Sequence, residues 1–242
     1  MPYNDSYNNG SYNNGMTVGA ASQANINKFI LGVYNWMAIG LALTGLIAWF
    51  VASQPQIIEA LVTNKILFYG LIFGELGMVM LFVGMINRVS VNTAIMMFLA
   101  YAALNGVTMS LIFLIYTMES IATTFFITGG TFAATSAFGY FTKRDLTSMG
   151  GFFFMALIGF IIASIVNLFM QSTVLYWVLT YAGVLIFVGL TAYDTQKIKN
   201  FGAQVEEGTD ESAKGSIMGA LHLYLDFINL FLLLLRIFGN RR

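Results

Sequence analysis

Seven long apolar runs take up most of the chain. They lie at about Phe29–Ala52, Ile66–Ile86, Thr93–Tyr116, Ile121–Phe141, Gly150–Met170, Val174–Tyr193 and Ile217–Phe238. A helix crossing the hydrocarbon core of a bilayer needs about 20 mostly apolar residues, and each run supplies that length. Strands of a membrane β-barrel would instead alternate in segments of about 10 residues, which these runs do not. The pattern predicts an all-α membrane protein, a bundle of seven transmembrane helices. Where a break is only a few residues long, as from Gln171 to Thr173, the flanking helices must be antiparallel neighbours.

The polar stretch before the first run reads differently. Ser6-Tyr7-Asn8-Asn9-Gly10 is repeated at once by Ser11 to Gly15. Such a segment buries too little apolar area to offset the entropy of ordering it, so residues 1–25 are expected to form a disordered Asn/Gly-rich tail on the cytoplasmic side. It lacks the basic start of a secretory signal, and the apolar stretch from Phe29 is too long for one. The seven-helix domain is expected to span 26–242.

Composition agrees and narrows the function classes. Of 242 residues, 58% are hydrophobic and 9% charged, against about 25% charged in ordinary soluble domains. Seven spans leave no room for a separate soluble catalytic domain. There is no cysteine, which excludes disulfides, thiol catalysis and Cys-ligated metals. A single histidine excludes a multi-His metal site, and a net charge of zero gives nucleic acid nothing to bind. The only prolines are Pro2 and Pro55, so a kink inside a span must come from Gly or a polar side chain. Small-residue spacings at Gly70/Gly74, Gly129/Ala133 and Gly130/Ala134 are expected to let helices pack closely.

Charge sets the orientation. Seven basic residues (Lys28, Arg88, Lys143, Arg144, Lys197, Lys199, Lys214) fall on the N-terminal side, against Lys65, Arg236, Arg241 and Arg242 on the other. The excess predicts a cytoplasmic N-terminus.

Ionisable groups inside spans are costly and default to functional readings. Glu75 lies in the middle of the second run, Asp194 at the end of the sixth, and His222, Asp226 and Arg236 in the seventh. At 100° per residue, His222, Asp226, Asn229 and Arg236 share a sector of about 80°. The last run thus carries a polar stripe that should face the bundle interior. Antiparallel sixth and seventh helices can bring Asp194 and Asp226 together. Two carboxylates in a poorly solvated place cannot both ionise easily and can share a proton. Ionised, they suit a hard cation such as calcium in transit, with Glu75, Asn105 and Asn229 as further oxygens. The alternative is that Asp226 only locks packing, through Arg236, Arg88 or a helix end. Asp226 lies nine residues inside its run, so the pair meets only if the sixth helix continues past Tyr193 or water enters. Arg88 could reach Asp194 as a removable counter-ion or serve as a topology anchor. His222 reads as a satisfied interior histidine rather than a ligand. Glu75 either lines a water path or sits protonated in the core.

These residues also carry a resemblance. Gly189-Leu-Thr-Ala-Tyr-Asp-Thr-Gln-Lys197, followed by Ala220-Leu-His-Leu-Tyr-Leu-Asp-Phe-Ile-Asn-Leu-Phe231, resembles the signature of the Bax inhibitor-1 family, in its bacterial inner-membrane form. Tyr101 to Ser110 and Phe141 to Leu146 are similar to its third-span and fourth-loop motifs. The resemblance covers Asn25 to Arg242. It implies seven helices with the last one central, and a pH-sensitive calcium leak sensed by the aspartates at 194 and 226. It also implies a latch for which Arg88 is the nearest match. Calcium would be the transported species, with no cofactor, and some bacterial relatives bind a membrane-anchored protease. Two features depart from the family: the acidic insert Val205–Ser212, expected to loosen the coupling between the aspartates, and His222.

Three functions compete on this reading. One is the passive calcium leak in the inner membrane. Another is a non-catalytic protein that binds and restrains membrane partners. The third, an intramembrane aspartyl protease, is disfavoured because Tyr224-Leu225 precedes Asp226 where such enzymes carry a Gly-x-Gly run.

Overall fold

A computed structural model of the chain describes the backbone of residues 10–242 and the side chains from Gln23 onward. Its helices are α1 (Gly10–Ala52), α2 (Pro55–Thr63), α3 (Lys65–Met85), α4 (Val91–Met109), α5 (Ile112–Ile115), α6 (Met118–Phe141), α7 (Thr147–Met170), α8 (Thr173–Gly202) and α9 (Asp210–Phe238). Among the described residues seven stretches are long and apolar enough to cross a membrane, with α4 and α5 together supplying the third. The protein is an all-α membrane protein. Of the stretch read as a disordered tail, residues 1–9 lie outside the described residues. From Gly10 the backbone is helical and continuous with the first span, since extending a helix from a packed segment costs far less than nucleating one.

Two elements were not anticipated. Helix α2 opens on Pro55 at its first turn, where the missing N–H costs nothing, and buries Leu61. The third span breaks at Ser110, whose Oγ donates to the Val107 carbonyl at 2.6 Å. A hydroxyl bonding back into its own helix is one of the polar causes of a break in a Pro-free span.

Helix α9 is the axis. In its most apolar stretch 72% of residues are buried, against none in α7. It packs against α1, α4, α6 and α8, while α7 leans on α8 and α3 on α4. Leu221, Leu223, Tyr224, Leu230 and Leu235 are fully enclosed. Many apolar side chains of α3 and α7 are exposed instead, including Phe73, Met80, Phe152 and Phe154. That inversion is the one expected where lipid is the solvent.

Close crossings use other glycines than those expected. A Cβ on Gly70, Gly129 or Gly130 would meet nothing within 4 Å, and one on Gly74 only a Leu104 methyl at 4.0 Å. A Cβ on Gly106 would lie 2.8 Å from the Thr44 carbonyl oxygen, and one on Gly139 would strike the Ala192 carbonyl. The α1–α4 and α6–α8 crossings therefore depend on Gly106 and Gly139. Spacing alone marks a small-residue face without saying whether a partner or lipid covers it.

Candidate functional site

The sixth span does not stop at Tyr193. Helix α8 continues to Gly202, carrying Asp194 alongside α9, so the condition for Asp194 and Asp226 to meet is fulfilled. The principal charged neighbour of Asp226 is Asp194, and those of Asp194 are His222 and Lys197. Asp226 is 4% exposed, and its Oδ2 has no hydrogen-bond partner among the described residues. Packing against an arginine is excluded in this arrangement: Arg236 lies over the Tyr176 ring at 5.3 Å, and Arg88 is exposed with no ion pair to a described acidic residue.

Five residues of the α8 motif have a structural task beside this pair. Gly189 admits the Phe153 ring, Ala192 receives Gly139, and the Tyr193 ring covers Gly150. Thr195 Oγ1 stands 2.8 Å from Ser136 Oγ, and Tyr34 extends the hydroxyl chain through Ser136. Buried Gln196 holds the α6–α7 loop from both sides: its Nε2 donates to the Arg144 carbonyl at 2.8 Å, and its Oε1 accepts from Leu146 N at 2.8 Å. Within that loop, hydrogen bonds from the Thr147 side chain and backbone hold the Asp145 carboxyl below the usual carboxylate range. Gln196 was missed in the sequence because an amide at a helix end has no charge to mark it as costly.

A cavity of about 480 Å³ reaches His222, with neither aspartate in its lining. Its walls include Ile86, Asn87, Lys197, Lys214 and His222. His222 borders this cavity, and its principal charged neighbour is Asp194. The anticipated Arg88–Asp194 contact is not formed, although Asn87, its neighbour, lines the same cavity. The acidic insert forms a short, tied connection. Only residues 203–209 connect α8 to α9, and Lys28 ties this loop to α1 through Glu207 at 3.0 Å.

The other candidates are dispersed. Glu75 accepts from Thr108 Oγ1 at 2.5 Å and lies near Tyr101 and Tyr224, apart from the aspartates. Tyr224 stands 2.7 Å from Thr44, whose hydroxyl donates to the Ala102 carbonyl. Asn105 is buried with an unpartnered Oδ1. Asn229 donates to its own helix at the Leu225 carbonyl and borders a cavity at the far end with Arg236. The polar stripe of α9 is thus divided, His222 and Asp226 meeting α8 at one end and Asn229 and Arg236 at the other. Among the described residues no group of three or more acidic or His side chains could hold a metal ion. The supporting oxygens expected around the pair are not gathered there.

Fold and site together define a polytopic helical membrane protein with a carboxylate pair buried between its central helix, which carries Asp226, and α8, which carries Asp194. A sequence model described as inhibitor of apoptosis-promoting Bax1 matches residues 26–242. The chain belongs to the Bax inhibitor-1 family. It is 51% identical over 221 residues to the inner membrane protein YbhL of Escherichia coli K12, covering 91% of this chain and 94% of the relative. A protein of Rickettsia prowazekii is 47% identical over 90% of this chain and 91% of its own. One of Borreliella burgdorferi is 45% identical over 89% and 93%.

Proposed function

We propose that the protein is a passive, pH-sensitive calcium leak of the bacterial inner membrane, with its N-terminus in the cytoplasm and Asp194 and Asp226 as the sensor. The observation that carries this reading is the unpartnered Asp226 oxygen beside Asp194, which in turn faces the cavity-lining His222. A buried carboxylate oxygen with no donor is expensive unless protonation or a passing cation answers it. Protons reach the pair through the cavity, and the charge of the pair sets how strongly α8 and α9 attract a cation or Arg88. A change in that charge shifts a closed–open equilibrium by the difference in interaction between the two states. No bond is made or broken in this scheme, and calcium is cargo. The inner-membrane assignment follows the name of the E. coli relative, and the orientation follows the excess of basic residues on the N-terminal side.

The test is calcium entry into dye-loaded proteoliposomes between about pH 6 and pH 8, the range in which histidine and coupled carboxylates titrate. Wild type is compared with Asp194→Asn and Asp226→Asn. A pH-dependent flux that either substitution flattens supports the leak and its sensor. Flux no greater than in empty liposomes, from folded and inserted protein, would sink it and favour capture of a membrane partner.

A further inference from the structure

At the end of α9 away from Asp194, two cavities of about 580 and 360 Å³ share Asn167, Tyr176 and Arg236 as walls. The larger holds Arg236 and Arg241 together with Ser172 and Thr173, the start of α8. The smaller continues between α7, α8 and α9 and is lined by Phe160, Leu168, Leu179 and Leu233. No acidic residue lines either one. From this juxtaposition we infer that the protein carries a binding site for one anionic phospholipid, with its phosphate at Arg236 and Arg241 and an acyl chain in the crevice beside α7.

Both arginines are held in place. The Arg236 guanidinium rests on the Tyr176 ring at 5.3 Å, a platform that orients a planar cation while leaving its N–H fork free. Arg241 belongs to the segment after α9, which is fastened to the α5–α6 junction. Thr117 N donates to the Asn240 carbonyl at 3.1 Å, Arg242 N to the Ile115 carbonyl at 2.9 Å, and Asn240 N to Ser120 Oγ at 2.9 Å. Neither arginine has an ion pair with a described acidic residue. The first turn of α8 adds N–H groups without intrahelical partners on the same side of the mouth.

The apolar crevice decides for a lipid over a free anion. Helix α7 packs chiefly on α8, buries none of its residues, and leaves a crevice toward α9 whose walls are mostly apolar, with Ser164, Asn167 and Asn229 among them. Tyr176 and Trp177 stand at the mouth, the position aromatic residues favour at a membrane–water boundary. A cationic mouth at that boundary over an apolar slot matches the charge and shape of a phosphatidylglycerol, and a phosphate ion would leave the slot empty.

The experiment is thermal unfolding and native mass spectrometry of the full chain in detergent, titrated with phosphatidylglycerol, phosphatidylcholine or inorganic phosphate. Phosphatidylglycerol is expected to be retained at least about tenfold more tightly than phosphatidylcholine and to raise Tm; phosphate should do neither. Arg241→Gln, at an exposed position, should lower that preference about fivefold, and Arg236→Gln with Arg241→Gln should abolish it. Leu233→Trp should block uptake of the lipid with both arginines intact. Equal retention of the two lipids, stabilisation by phosphate alone, or an Arg241→Gln variant with unchanged preference would each overturn the inference.

Discussion

Ser136 donates its hydroxyl proton to Thr195, one residue past Asp194, across 2.8 Å. The direction follows from counting protons. Thr195 spends its own on the Thr191 carbonyl at 2.7 Å, so it can only accept from Ser136, and Ser136 in turn can only accept from Tyr34. The chain runs from α1 through α6 to α8 and fixes the helix that carries Asp194. A buried neutral hydrogen bond contributes about 1 kcal/mol. Thr195→Val and Ser136→Ala should each lower stability by about that amount, and the double variant by less than the sum, because both remove one shared bond. A double-mutant cycle in detergent unfolding checks this; strict additivity would mean that the hydroxyls do not act as a chain.

The glycine crossings give a sharper contrast. Gly106→Ala and Gly139→Ala push a methyl into a facing backbone carbonyl, which cannot rotate away as a side chain does. Overpacking of this kind costs about 1–3 kcal/mol. Gly129→Ala and Gly130→Ala meet nothing within 4 Å, so they should be neutral or slightly stabilising through helix propensity alone. Thermal unfolding of the four variants separates the pairs. Destabilisation at 129 or 130 would mean that a second molecule covers that face.

The same glycines mark how far the sequence could be read. Run length identified all seven spans, because the bilayer sets that length whatever the packing. The polar stripe of α9 foretold a helix facing inward, and the pair at 194 and 226 followed from the antiparallel arrangement of the last two spans. Partners were harder. Spacing placed Gly129 on a small-residue face but could not say that no other described part of the chain lies against it. The neighbour of Arg88, Asn87, lines the cavity that reaches His222, yet the turn 86–90 leaves Arg88 itself exposed, which run length and charge could not indicate. Helix α2 escaped notice because nine residues are too few to cross a membrane.

The α6–α7 loop should show an acid-dependent contribution. Thr147 holds the Asp145 carboxyl below its unfolded value, so the interaction is fully present above the unfolded pKa. It is lost as pH falls through the lower, folded one. The group is fully exposed, so its effect on global stability is small. Asp145→Ala should nonetheless be less stable than wild type at neutral pH, and the two Tm curves should converge as pH drops below the ordinary aspartate range near 3.9. Curves that stay parallel through that range would assign the difference to helix capping rather than to the carboxylate charge.

Gln196 is the strongest structural prediction on α8. Its amide satisfies both the Arg144 carbonyl and the Leu146 N–H, and the surroundings at Leu146 are buried. Gln196→Ala leaves that N–H without a partner, a loss of about 1–3 kcal/mol. The release is local, since α6 and α7 remain fixed by their own packing on α8. Lys143 and Arg144 lie inside the freed segment, so limited digestion with trypsin should cut there several-fold faster in Gln196→Ala than in wild type. Gln196→Glu makes the distinction complete. It keeps the acceptor for Leu146 N but loses the donor for Arg144, and should fall between the two. If all three proteins are cut at one rate, the loop is held by something other than Gln196, and the motif residue next to Thr195 serves the carboxylate pair instead.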